Sequence, residues 1–137
     1  MAKRNDTNTT TNYIEIMTLN DYQVKAMVTC LPSCMNDVYA INGLTAEVGE
    51  INDKVAKWVR KGICRIENNH LVFNTHDEEL VAEYQEELAK EVGDVLWFVA
   101  LLAKEFGYTL HEVGQMNIDK LKDRAQRGVI IGNGDNR

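Results

Sequence analysis

The chain is predicted to fold as an all-α protein, a four-helix bundle with a short hairpin or loop between its second and third helices. Three observations predict it. Apolar residues recur at spacings of three and four over long stretches, three segments open on N-capping signatures, and 137 residues contain a single proline. The length is that of one ordinary domain, enough to bury about two thirds of the unfolded surface around one core.

Residues 1–13, "MAKRNDTNTTTNY" with its run of Asn and Thr, cannot bury enough apolar surface to offset ordering and are expected to be a flexible arm, leaving 14–137 as the folded domain. Thr18 followed by Asp21 forms an N-cap with an acidic third position, opening a helix with Tyr22, Val24, Met27 and Val28 as its apolar positions; Pro32 should end or kink it. From Asn36, the series Val38, Ile41, Leu44, Val48, Ile51, Val55 and Val59 keeps the helical period, and Gly62 follows as C-cap. "ICRIENNHLVFN" breaks that period: apolar residues flank Asn68-Asn69, which suggests a short hairpin or extended loop. The third helix opens on Thr75 or Asp77, carries acids in its first turns and ends at Gly107. Its second half, Val92 to Ala103, is apolar on nearly every side and must be covered by neighbours. Thr109 and Glu112 form a capping box for a fourth helix running to about Arg127. The apolar surplus of the third helix suggests a homodimer or homotetramer.

Composition excludes several function classes. No apolar run approaches the roughly 18 residues of a membrane span, and the N-terminus lacks the apolar core of a secretory signal, so a cytoplasmic protein with no membrane partner is expected. A net charge of -6 argues against direct nucleic-acid binding, which needs a basic footprint. Cys30, Cys34 and Cys64 lack a fourth ligand at zinc spacing and are read as reduced thiols.

The chemistry is carried by two repeats. "EVGE", Glu47 to Glu50, and "EVGD", Glu91 to Asp94, each place two carboxylates three residues apart on one helix face, next to apolar neighbours. A solvated stripe is the simpler account of any single pair. Two glycine-containing copies beside buried helix halves favour a shared role. If the two helices pack side by side, four acids converge and require cations, and an all-oxygen donor set suits Mg²⁺, with Mn²⁺ as a substitute. A di-iron bundle would want Glu-x-x-His, which neither segment has. Gly49 and Gly93 would let the helices or a substrate approach closely. Among the remaining candidates, Trp97 and Phe98 are more simply core than base-stacking residues, and Trp58 is ambiguous. His70, His76 and His111 lack ligand partners at useful spacing.

"GLTAEVGEINDKVAKWVRKG" and "EELAKEVGDVLWFVALLAKEFGYTLHEVGQMNIDKLKDRAQRG" together resemble the MazG-like nucleoside triphosphate pyrophosphohydrolases of the all-α NTP pyrophosphatase superfamily. The resemblance covers about residues 40 to 137 and rests on the ordered series ExxE, loop, ExxD, NxxKLxxR. It implies an oligomeric helical domain that hydrolyses a nucleoside or deoxynucleoside triphosphate between the α and β phosphates. It implies Mg²⁺ held by Glu47, Glu50, Glu91 and Asp94, and substrate contacts from Lys57, Asn117 and Lys120. Arg124 would join the lysines at the phosphates, and Glu50 is the first choice for the base that activates water. Many members read Glu-Glu-x-x-Glu at the first motif, whereas Ala46 precedes Glu47 here. The alternative function is a catalytically silent helical module for nucleotide binding or dimerisation.

Overall fold

The helices begin where side chains satisfy their first free amides. In the computed structural model, which describes residues 16–131, Thr18 accepts from the Asp21 N–H while the Asp21 carboxylate accepts from the Thr18 N–H, closing the box that opens α1 (Leu19–Met27). Asn36 caps α2 (Asp37–Arg60), Asp77 caps α3 (Glu78–Glu105), and a second box, Thr109 with Glu112, opens α4 (Leu110–Gln126). Pro32 starts a single 3₁₀ turn, Pro32–Cys34, between α1 and α2. The stops at Gly62 (φ +71°) and Gly107 (φ +80°) use the left-handed conformation that glycine adopts without Cβ strain. The segment expected to be an arm and the last six residues lie outside the described range.

The connection between α2 and α3 is a two-stranded antiparallel hairpin, β1 (Cys64–Glu67) and β2 (His70–Phe73), with Glu67 opposite His70. Asn68 and Asn69 both take positive φ, 51° and 64°, as a two-residue turn of the primed type demands. The hairpin returns the chain so that α3 runs antiparallel to α2. Trp58 meets Tyr84, Lys54 meets Glu91, and Tyr39 meets Phe98, so sequence separation grows steadily away from the turn. A stack of Trp58, Phe73 and Tyr84, with ring centroids 5.2 to 5.9 Å apart, closes the hairpin end.

At the other end α1 and α4 cover the apolar half of α3, with Ala26, Met27, Cys30, Ala40, Ala100, Leu101, Ala103 and Leu110 as the buried cluster. Gln23 joins the helices there. Its amide donates to the Ala100 and Tyr108 carbonyls, and its oxygen accepts from the Leu110 N–H, so a single buried side chain ties α3, the α3–α4 connection and the first amide of α4 together. Trp97 donates its indole N–H to Thr29 Oγ1 at 2.9 Å and to the Ala26 carbonyl, a structural role.

Two packing expectations need correcting. Val24 and Val28 are not core: α1 buries Gln23, Ala26 and Met27 instead, leaving Val28 82% exposed. The apolar surplus is not on α3, where Val92 is the one large apolar residue of Val92–Ala103 that is exposed. It lies on α2, whose series splits into residues turned towards α3 and an outer row of Val38, Ile41 and Val48, and on α4, at Met116, Ile118 and Leu121. No helix among the described residues is long and apolar enough to cross a membrane. All three cysteines are free thiols, Cys30 and Cys64 buried.

Candidate active site

Antiparallel pairing of α2 and α3 brings the two acidic motifs together. One carboxylate oxygen each from Glu47, Glu50 and Glu91 lie within 4.8 Å of one another, with Glu47 and Glu91 half-buried and Glu50 exposed. Asp94 is exposed and is not part of this triplet, but its charge reaches it. The Glu47 carboxyl is held above the usual carboxylate range first by burial and then by the negative charges of Glu50, Asp94 and Glu91. A set of oxygen donors from two helices, close enough for neighbouring charges to push up the Glu47 carboxyl, fits a small divalent cation.

Two cavities flank the triplet. One, of about 450 Å³, is bordered by Glu50 and Glu91 and by the lysines Lys54, Lys57 and Lys61. The other, of about 600 Å³, is bordered by Glu47, Tyr39, Asn42, Ala46 and Phe98. The triplet therefore stands between a cation-lined space and one walled by rings and an amide. The position where related motifs carry another acid is occupied by Ala46, which faces the second cavity.

The predicted substrate residues divide. Lys57 borders the charged cavity and pairs with Asp53, one turn back on α2. Asn117 and Lys120 are exposed on α4, where Asn117 borders a separate depression with Leu19, His111 and Gly114, and Arg124 is buried. Lys54 is a further residue of the site, one not singled out by the motifs. Its ammonium lies 2.8 Å from Glu91 Oε1 and 3.5 Å from Glu87 Oε2, and the hydrogen bond to Glu91 is the main cause that raises its pKa. The signal was present: Lys54 lies four residues after Glu50 and Glu87 four before Glu91, so each shares a helix face with a motif acid.

Gly49 and Gly93 do not mediate contact between α2 and α3, because a Cβ at either would meet nothing within 4 Å. Alanine at each should therefore stabilise the chain by about 0.5–1 kcal/mol, the helix-propensity difference, as read by urea unfolding. A stabilised variant that has lost activity would show that substrate or a second copy approaches the helix backbone there. A destabilised one would contradict the open packing.

Residues 39–129 match the family model of the MazG nucleotide pyrophosphohydrolase domain. The chain is also 38% identical over 99 residues to the Gene 37 protein of Mycobacterium phage L5, an alignment that covers 72% of this chain and 75% of that protein. No solved structure matches. With both acid pairs, the hairpin between them and all of α4 inside the matched residues, the chain belongs to the MazG nucleotide pyrophosphohydrolase family.

Proposed function

We propose that the protein hydrolyses a nucleoside or deoxynucleoside triphosphate between its α and β phosphates, releasing the monophosphate and pyrophosphate. The observation that carries this reading is the convergence of Glu47, Glu50 and Glu91 within 4.8 Å beside a lysine-lined cavity. Membership of a family of divalent-metal-dependent nucleotide pyrophosphohydrolases supports it.

Glu47, Glu50, Glu91 and Asp94 would hold Mg²⁺, or Mn²⁺ in its place. When bound, that cation neutralises triphosphate charge and lowers the pKa of a bound water. The protein's own groups do the rest. Lys57, released from Asp53, binds phosphate oxygens in the charged cavity, and the nucleoside end extends towards Tyr39, Asn42 and the edge of Phe98. Glu50, the most accessible of the triplet, accepts a proton from the water that attacks the α phosphorus. The bond to the bridging oxygen breaks, and that oxygen leaves with pyrophosphate.

We assign Lys120 and Arg124 to phosphate, Arg124 through a guanidinium that is buried in the single chain, and Asn117 to sugar or phosphate. The outer apolar row of α2 supports a homodimer or homotetramer, an assembly through which α4 of a second copy would reach a cavity that its own chain does not bring it to.

The purified protein with Mg²⁺ and a panel of standard and modified nucleoside triphosphates should release pyrophosphate and monophosphate from at least one of them. Release of single phosphates, or no turnover across the panel, sinks the reading.

A further inference from the structure

We propose that Lys54 is a built-in cation of the acidic site, competing with the divalent ion for Glu91 and turning to the phosphate chain once that ion is bound. The proposal rests on the metal-carboxylate reading above and adds a residue and an order of events to it.

Lys54 differs in position from the other lysines of the charged cavity. Lys57 is neutralised by Asp53, which is outside the triplet. Lys54 instead reaches across from α2 to α3 and binds Glu91, the only triplet acid contributed by α3, with Glu87 as a second anchor. Its side chain is 26% exposed and that of Glu91 16%, so the pair is screened less than a surface ion pair would be. One carboxylate thus serves both an ammonium at 2.8 Å and a cluster of acid oxygens spanning 4.8 Å. A divalent ion drawing on Glu91 must share it with a fixed positive charge next to it, which lowers the ion's affinity. The same ammonium borders the cavity that the phosphates would enter, so the charge displaced from Glu91 has an anionic destination beside it. The cradle therefore holds a metal less tightly without substrate, and the substrate's own charge removes the competitor.

The prediction has opposite signs in two measurements. By calorimetry without nucleotide, Lys54→Met should bind Mn²⁺ about tenfold more tightly than wild type, the scale of one charge-assisted hydrogen bond. In saturating Mn²⁺ the same variant should bind inorganic pyrophosphate about tenfold more weakly, for loss of one phosphate contact of similar strength. Lys54→Arg keeps the charge and should leave Mn²⁺ affinity near wild type. If Lys54 merely holds α2 to α3, Lys54→Met loosens the site and weakens both affinities, which overturns the proposal. Unchanged Mn²⁺ affinity or unchanged pyrophosphate affinity overturns it as well. Glu47→Gln separates the two levels: if wild type binds no Mn²⁺, or this variant binds it equally well, the carboxylate reading fails and takes the proposal with it. If Mn²⁺ binding depends on Glu47 and Lys54→Met does not tighten it, the Lys54 proposal falls alone.

Discussion

Replacing Glu91 with Gln is expected to lower kcat/KM for pyrophosphate release by at least about a thousandfold while leaving the chain folded. The exchange keeps size and shape and removes one charge. Glu47 and Glu50 share α2, so Glu91 is what makes the triplet bridge two helices. Without it the site loses its cross-helix donor, and a cation held by one helix alone is not fixed relative to a substrate lying between two. The fold should tolerate the change because two effects on stability oppose each other. The variant loses the charge partner of Lys54, but it also relieves part of the repulsion that raises the Glu47 pKa. The sign follows from linkage. A carboxyl whose folded-state pKa lies above its unfolded value contributes most stability below the ordinary glutamate range. That contribution is lost as pH rises through the raised value, so at neutral pH the metal-free cluster costs stability and removing a neighbouring charge lowers the cost. A net change within about 2 kcal/mol is expected by urea unfolding at neutral pH. Mn²⁺ should raise the melting temperature of the wild type and not of the variant, since only a site that binds in the folded state stabilises by mass action. A Glu91→Gln protein with more than a tenth of wild-type activity and an intact Mn²⁺ shift would remove Glu91 from the site.

The parts of the molecule that were legible in the sequence are those set by residues close in the chain. Thr18 with Asp21 and Thr109 with Glu112 close their boxes across three residues, and Asn68-Asn69 makes its turn with two, so boundaries and hairpin follow from local chemistry. The glutamate pairs were legible for the same reason, three residues on one helix face. What depends on the partner element was not. Apolar spacing on α2 marks Val38, Ile41 and Val48 as strongly as Leu44 and Ile51, but rotation of α2 against α3 leaves the first three outside. Ala40, fully buried, and Gly43, against Phe98, are too small to register in a hydrophobic pattern, although they set how closely the helices approach. The partner of Lys54 was not legible either, because it is fixed only by the antiparallel register that Trp58 with Tyr84 and Tyr39 with Phe98 establish.

That register makes Gly43→Ala the most damaging of the small substitutions, with an expected loss of about 2–3 kcal/mol by urea unfolding. On propensity alone the change should help, since alanine is favoured over glycine inside a helix by about 1 kcal/mol. Packing reverses the sign. A Cβ at Gly43 would overlap Cε1, Cζ and Cδ1 of the Phe98 ring. Phe98 cannot withdraw without losing contacts: it is 9% exposed, its ring stands edge-on to Trp97 at 4.9 Å, and Tyr39 lies against it at 5.6 Å. Trp97 is in turn held by Thr29 and the Ala26 carbonyl of α1, so displacing the ring strains three helices. Either the ring leaves these contacts for the cavity it borders, or α2 moves away from α3. Gly43 is one turn before Glu47, and Phe98 one turn after Asp94, so that movement widens the gap between the carboxylates as well. Activity should therefore fall further than the unfolded fraction accounts for. Shortening the ring tests the cause. In Gly43→Ala with Phe98→Leu, the two losses should be less than additive by at least about 1 kcal/mol, because the leucine leaves space for the methyl group. Additive losses, or a Gly43→Ala chain at least as stable as wild type, would show that the helices do not meet at this glycine. The carboxylates one turn away would then owe their convergence to some other contact.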